Sequence, residues 1–283
     1  MKFLDEYISD FQDDGIRGEL GEKLRSLQER YVAASGARAL ETLAELIELY
    51  NWLGMKSTKE QYDINSNLAR NLPGTLMQDW LIHVVMGLTS AFPELYVLTE
   101  VKVPFGIYPT WKSGIVSEKS PAEKSDIAVG YLRCKEKRNI KMNTGEFCKK
   151  VFHQDDIVGY DVLPLITVNS KIRVSQSEFF DWQGREQLMT KGNPHCLSIQ
   201  VALRKEMVMD VVEASQASEK FFLLGNGGER STVPNNSELL RLIDTIQDHL
   251  DHHMLAESVY ERESAARFNL EDAPVSTAQA DLL

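Results

Sequence analysis

Cysteine is scarce in this sequence: only Cys134, Cys148 and Cys196 occur among 283 residues. Their number is odd and no two are spaced as metal ligands, so they indicate reduced thiols rather than a disulfide framework or a zinc site. No apolar run approaches the roughly 18 residues that a membrane-spanning helix needs. The N-terminal segment MKFLDEYISDFQDD is acidic and helical in pattern, unlike a secretory signal. We therefore expect a cytoplasmic protein with no membrane association.

Positive charge is also in deficit, with 31 Lys and Arg against 42 Asp and Glu and a formal net charge of -11. A general acidic excess disfavours nucleic acid, because phosphate contacts need Lys and Arg. DNA binding, however, requires a positive cleft rather than a positive protein. Residues 133–150 are rich in Lys and Arg, although a solvated loop explains such a run equally well. Net charge alone therefore does not exclude a DNA-binding protein.

The hydrophobic pattern divides the chain into a helical part and an α/β part. Polar residues 59–71 indicate a connection, and a helix is predicted to start after Pro73. The further predicted elements are helices within 3–55, 175–192 and 235–263 and strands at 95–103, 125–132, 161–174, 195–204 and 220–226. This order predicts an α/β fold with a mixed central β-sheet flanked by helices and preceded by a helical region. We expect a helical region at 1–71, a catalytic domain at 72–262 and a flexible tail at 263–283.

Two predicted strands carry a combination of side chains suited to phosphodiester chemistry. Asp126 lies in SDIAVGYL, and Asn169 and Lys171 lie two residues apart in PLITVNSK, so the latter two share one face of their strand. If the strands are neighbours, all three side chains converge at one sheet edge. A carboxylate suits Mg²⁺, and a lysine beside a phosphate can orient water and offset negative charge. The pattern therefore predicts a metal-dependent nuclease.

These motifs resemble those of the PD-(D/E)XK restriction endonucleases, most closely the type II enzymes of the BbvCI group. The similarity extends through much of residues 65–255, including NSNLARNLPGTLMQDWLIHVVMGL, SDIAVGY, VNSKIRV and EQLMTKGNPHCLSIQVAL. Ser170 to Ala202 is also similar to the NgoMIV-type enzymes, in which a helix carries a relocated Glu. The resemblance implies a restriction-endonuclease-like fold, Asp126 as a metal ligand and Lys171 as the catalytic lysine.

The sequence departs from the family pattern at the second acidic position, where it has Asn169. An amide offers one neutral oxygen, so Asn169 would be a weaker metal ligand than Glu. A second possibility is that Glu178, as a metal ligand, or Glu186, as a catalytic residue, reaches back from the following helix. A third is that the site is weakened and the chain is a DNA-recognition subunit that needs a catalytic partner subunit.

Four polar residues beyond Lys171 are candidates for DNA contact: Arg173, Gln176, Arg185 and Lys191. Arg suits guanine and Gln suits adenine edges, although a solvated helix face accounts for each residue singly. The resemblance implies a restriction-modification enzyme that cuts double-stranded DNA with Mg²⁺. Because two strands must be cut, we expect a homodimer or a heterodimer. An acidic interaction protein with no nucleic-acid role is the remaining alternative.

Overall fold

The N-terminal part of the protein is a layer of helices. It consists of α1 (Leu4–Gln12), α2 (Gly18–Tyr31), α3 (Arg38–Gly54), α4 (Lys56–Gln61) and α5 (Ser66–Leu88). A computed structural model describes residues 4–12, 14–31, 38–104, 108–112, 115–119, 122–134, 151–153, 160–206, 212, 215, 217–228 and 231–271. The basic segment 135–150 lies outside these residues, and so does 272–283.

The chain then forms a six-stranded mixed sheet with two small additional ladders. The strands are β1 (Tyr96–Pro104), β2 (Tyr108–Lys112), β3 (Ile115–Lys119), β4 (Ala122–Cys134), β5 (Val151–His153), β6 (Tyr160–Val174), β7 (Leu197–Lys205), β8 (Phe221–Leu223), β9 (Gly225–Asn226) and β10 (Val233–Pro234). The main sheet has the order β5-β1-β4-β6-β7-β8, in which β1, β4 and β6 pair antiparallel and β6, β7 and β8 pair parallel. Helix α6 (Gln176–Gly192) connects β6 to β7, and α7 (Asn236–Glu271) closes the described chain.

The two faces of the sheet are covered by different helices. On one face, Ile127 and Val168 belong to a large apolar cluster that also takes in α1, α2, α3, α5 and α7. On the other face, Ala128 packs in a cluster with Met189 of α6, and Ala202 packs with Trp182 of the same helix. Burial of apolar area on both faces is the main stabilising contribution to this arrangement. The predicted fold class, a mixed sheet flanked by helices after a helical region, is confirmed.

Helix α5 starts earlier than the sequence pattern predicts. It begins at Ser66, because the side chain of Asn65 caps it by accepting the N–H of Leu68 at 2.9 Å. Pro73 therefore lies inside the helix rather than at its first position, and the predicted connection at 59–71 is partly helical. The predicted domain boundary at residue 71 falls within α5, and one apolar cluster extends across it. The division into domains stays a prediction.

Three further boundaries differ from expectation. The segment 104–121, in which Pro, Gly and Ser favour turns and loops, contains the β2–β3 hairpin. Strand β4 begins at Ala122, and its pairing with β1 extends to that residue, so Asp126 lies within the strand rather than at its start. Helix α7 continues to Glu271, past the predicted start of the tail at residue 263.

No helix in the described part of the chain is long and apolar enough to cross a membrane.

A bulge sets the register between β4 and β6. The pairing shifts between Val129 and Gly130, so that Gly130 faces Pro164 while Ile127 faces Val168. A Cβ at position 130 would overlap the backbone of Leu163, which explains why glycine occurs there.

We expect Gly130→Ala to destabilise the fold by more than about 3 kcal/mol, because the strands must separate to admit the methyl group. Urea unfolding measures the effect. Gly184→Ala is the matched control: Gly184 lies in α6 with open space around its Cα, so this change should stabilise by about 0.5–1 kcal/mol. Equal unfolding midpoints for wild type and Gly130→Ala would contradict the assignment of the bulge.

Candidate active site

Asp126, Asn169 and Lys171 lie on two neighbouring strands of the main sheet. Strand β4 pairs directly with β6, and Ile127 and Val168 are partners that point into the large core. Because side chains alternate along a strand, Asn169 and Lys171 occupy the opposite face of β6, which α6 covers, while the Asp126 carboxylate turns toward Ser170 at the end of the ladder. The structure thus brings together the two strands whose proximity the sequence hypothesis required.

The Asp126 carboxylate sits where the ladder between β4 and β6 ends. Its Oδ2 accepts the backbone N–H of Ser170 at 2.7 Å and the Ser170 hydroxyl at 3.2 Å. The hydroxyl of Ser125 donates to the carbonyl of Ile127 at 2.7 Å and lies 3.4 Å from the carbonyl of Val168. The Asp126 side chain therefore replaces a backbone partner for Ser170 where the ladder ends, and this contact holds the carboxylate in place. Such contacts are also what a purely structural aspartate would make.

Burial raises the pKa of Asp126 above its usual value, and the negative charge of Glu100 raises it further. The N–H and hydroxyl of Ser170 and the positive charge of Lys171 act in the opposite direction but do not cancel the effect of burial. Lys171 acts through its charge rather than through a hydrogen bond, and it is exposed. An incompletely neutralised buried carboxylate next to a solvent-accessible ammonium is an arrangement that a bound cation would stabilise.

Two residues near Asp126 were missed by the sequence interpretation. Glu100 of β1 is 5% exposed and has a left-handed backbone with φ 54°. Gln78 of α5 donates from one nitrogen to Oε1 of Glu100 and to the carbonyl of Asp126, both at 3.1 Å. Each was visible as a polar residue within an apolar segment, LYVLTEVKV for Glu100 and LMQDWLI for Gln78. Isolated polar residues in such segments are worth testing as site residues.

The two glutamates of α6 that were candidates to replace Asn169 have other partners. The carboxylate of Glu178 accepts the N–H and the hydroxyl of Ser175, both at 2.9 Å, and so caps α6. Glu186 is buried, with Lys220 and the Thr190 hydroxyl bound to its Oε1. Burial acts to raise the pKa of Glu178. The hydrogen bonds from Ser175 and the positive charge of Lys171 outweigh it, so the pKa is lowered. These contacts explain both carboxylates without a metal, so their catalytic and metal-binding roles stay predictions without structural support.

The four predicted DNA-contacting residues lie on or beside α6. Arg173 forms an ion pair of 2.8 Å with Glu206, and Gln176 is exposed in the first turn of α6. Arg185 donates to the carbonyl of Asp181 at 3.3 Å, and Lys191 is exposed in the last turn. They are distributed along the length of the helix, and their role in DNA contact stays a prediction.

Oxygen donors suited to a hard divalent cation are present around Asp126. Mg²⁺ needs only one or two carboxylates because it keeps several waters. Asp126 and Glu100 supply carboxylates and Asn169 supplies an amide oxygen. Glu100 lies between two residues that pair with the neighbours of Asp126, and Asn169 follows the last pair of the β4–β6 ladder. In the described ranges no group of three or more His, Cys, Asp or Glu side chains is arranged to hold a metal. The donors therefore fit a partly hydrated Mg²⁺ better than a zinc ion held entirely by protein.

No family model and no curated protein matches this chain. Among solved structures, the chain is similar to one described as "native BbvCI A2B2 tetramer at low resolution". The sequence identity is 12%, the match covers 89% of this chain and 96% of that chain, and the TM-score is 0.49. A similarity of this size indicates at most a distant relationship and carries no argument about activity.

We expect Asp126→Asn to stabilise the protein at pH 7–8 in the absence of divalent cations. A carboxyl with a raised folded-state pKa contributes stability that is complete below its unfolded pKa and is lost as the pH rises through the folded value. The amide stays neutral and still accepts the Ser170 N–H, so its advantage should grow from pH 4 to pH 8. Thermal unfolding in EDTA across this range measures the difference.

Asp181→Asn, which removes an exposed negative charge from α6, controls for net charge. A stability difference between Asp126→Asn and wild type that does not change with pH would contradict the raised pKa.

Proposed function

We propose that this protein is a metal-dependent endodeoxyribonuclease of the type II restriction kind. The observation that carries the proposal is the meeting of Asp126 and Lys171 where the β4–β6 ladder ends: the Asp126 carboxylate accepts the N–H of Ser170, the residue before Lys171, and the charge of Lys171 acts on it. The electrostatics agree with it, since the carboxylate is under-neutralised and the ammonium acts on it through space. Chain order and strand position also match the Asp and x-x-Lys elements of the family that the sequence resembles.

Each residue of the pair has a distinct chemical task in this proposal. Asp126, held by Ser170, would bind Mg²⁺ together with a second oxygen donor. The metal, when bound, supplies Lewis-acid activation of a water and neutralises charge on the phosphate. The exposed ammonium of Lys171 would orient that water and offset the negative charge that develops on the scissile phosphate, whereas only its neutral amine form would accept a proton from the water.

Basic residues lie near Lys171 despite the acidic net charge. Arg173 and Arg204 are partners across the parallel β6–β7 ladder, and Lys205 follows at the end of β7. Glu206 forms ion pairs with both arginines, at 2.8 Å and 3.5 Å, and so partly neutralises them. Double-stranded DNA is the proposed substrate, and a homodimer or heterodimer would supply the second active site that cutting both strands requires.

Asn169 keeps a second function open, that of a DNA-recognition subunit which needs a catalytic partner subunit. A set of supercoiled plasmids of different sequence, incubated with Mg²⁺, separates the two. Linear product indicates cutting of both strands, and nicked circles indicate cutting of one. A shift in gel mobility without cleavage supports the recognition subunit, and neither product nor shift rules out both functions.

We expect Lys171→Ala to lower cleavage by about 10²–10⁴-fold, the usual range for losing a group that assists proton transfer. DNA affinity, measured by gel shift without Mg²⁺, should change little, since one phosphate contact among many is lost. Lys56→Ala is the matched control because Lys56 is 83% exposed on α4 and pairs only with Glu60. Cleavage by Lys171→Ala at the wild-type rate would refute the assignment.

Asn169→Glu restores the acidic side chain at the family's second position. We expect cleavage equal to or greater than that of wild type, with half-maximal rate at a lower Mg²⁺ concentration, because a carboxylate binds Mg²⁺ more strongly than an amide. Asn169→Gln, of the same length but neutral, controls for size. A folded Asn169→Glu variant that needs more Mg²⁺ than wild type would show that position 169 does not face the metal.

A further inference from the structure

Glu100 is a buried carboxylate in an unusual backbone conformation. Only 5% of the residue is exposed, and its φ of 54° is rare for a side chain other than glycine, asparagine or aspartate. Such a backbone conformation lowers the stability of the fold, and it persists only where the surrounding structure holds it in place. The apolar alternation of β1 changes at this residue: Leu98 and Val101 belong to the same cluster although they are three residues apart. The strand is thus distorted at the position of its one buried acid.

Glu100 lies close to Asp126 along the β1–β4 ladder. Thr99 pairs with Ile127 and Val101 pairs with Ser125, so Glu100 and Asp126 are the residues between these two pairs. The nitrogen of Gln78 binds both the Glu100 carboxylate and the Asp126 carbonyl. The charge of Glu100 also contributes to raising the pKa of Asp126. The two carboxylates therefore belong to one electrostatic unit.

The ion pair between Lys124 and Glu100 leaves most of the lysine side chain exposed to solvent. Lys124 forms an ion pair with Glu100, but 57% of its side chain is exposed. An exposed ammonium on a flexible stem contributes little to stability and can leave when a cation of higher charge approaches. Lys124 is thus suited to be a replaceable counter-ion.

We propose that Glu100, rather than Glu178 or Glu186, supplies the second carboxylate of the cation pocket around Asp126, in place of the acid that Asn169 lacks. The inference rests on the proposed function, because it concerns the metal of that site. It follows from the position of Glu100 close to Asp126, from the shared Gln78 donor, and from the cap and ion-pair contacts that occupy the two helix glutamates. Lys124 competes with the cation for Glu100.

Titration with Mn²⁺, with free ion followed by its EPR signal, tests this assignment without DNA or catalysis. Glu100→Gln should lower Mn²⁺ affinity by on the order of 10-fold. Lys124→Met should raise it about two- to fivefold, because the competing ammonium is gone. The double variant Glu100→Gln/Asn169→Glu should recover most of the lost affinity, because it returns a carboxylate to the pocket from the neighbouring strand.

A purely structural ion pair predicts a different pattern. In that case Glu100→Gln and Lys124→Met would both lower the unfolding temperature, neither would change Mn²⁺ affinity, and Asn169→Glu would not rescue. Lower affinity in Glu178→Gln or Glu186→Gln, with Glu100→Gln unchanged, would also overturn the proposal. If Glu100→Gln does not fold, an unchanged affinity in Lys124→Met overturns it.

Asp126→Asn separates failure of this inference from failure of the proposed function. Loss of Mn²⁺ binding in Asp126→Asn, together with wild-type binding in Glu100→Gln, removes Glu100 from the pocket and leaves the nuclease proposal intact. Wild-type Mn²⁺ affinity in Asp126→Asn would refute the metal site itself, and with it the inference about Glu100.

Discussion

The antiparallel pairing of β4 with β6 is the constraint on which the candidate site depends. The bulge at Gly130 sets the register, and the register places Asn169 and Lys171 opposite the segment that carries Asp126. Where the backbone ladder stops, the Asp126 carboxylate accepts the Ser170 N–H. The same hydrogen bond therefore satisfies a backbone donor and fixes the orientation of the acid.

The burial of charged side chains around Asp126 lowers the stability of the fold. Asp126 is largely buried and Glu100 is nearly inaccessible, yet the two lysines nearby, Lys124 and Lys171, are both exposed. The raised pKa of Asp126 means that its partners do not offset the cost of its burial, and perturbed carboxylates of this kind cluster at functional sites. Glu100 is bound by Lys124 and Gln78, much as Glu186 is bound by Lys220 and Thr190. Asp126 differs from both glutamates, because Ser170 rather than a lysine binds its carboxylate.

The cap of α6 shows how local sequence rules compete with functional ones. Glu178 was a candidate metal ligand because it follows the lysine strand at a plausible distance. Ser175 and Glu178 instead form a capping box, in which each side chain binds the other's backbone N–H. The serine at the end of β6 together with a glutamate three residues later was the stronger signal, and it is a short-range one.

Local patterns determined the types and order of most elements. Period-two alternation in SDIAVGYL and PLITVNSK predicted β4 and β6, and it correctly placed Asn169 and Lys171 on one face, because alternation is a property of the backbone itself. The predicted boundaries were less accurate. Helix α5 begins before Pro73 because Asn65 caps it, and β4 begins at Ala122 because its pairing with β1 extends to that residue. The β2–β3 hairpin lies in a segment whose Pro, Gly and Ser content favours turns and loops.

By itself, then, the sequence determined the α/β class and the pair of strands that carries Asp126 and Lys171. Only the tertiary structure decided which carboxylates stand near each other. Glu100 is 26 positions from Asp126 and Gln78 is on a helix before both, so their meeting depends on the β1–β4 register and on the packing of α5 against the sheet. Hydrophobic periodicity specifies which face of an element is buried, but not which polar groups of different elements come into contact, because that depends on long-range packing.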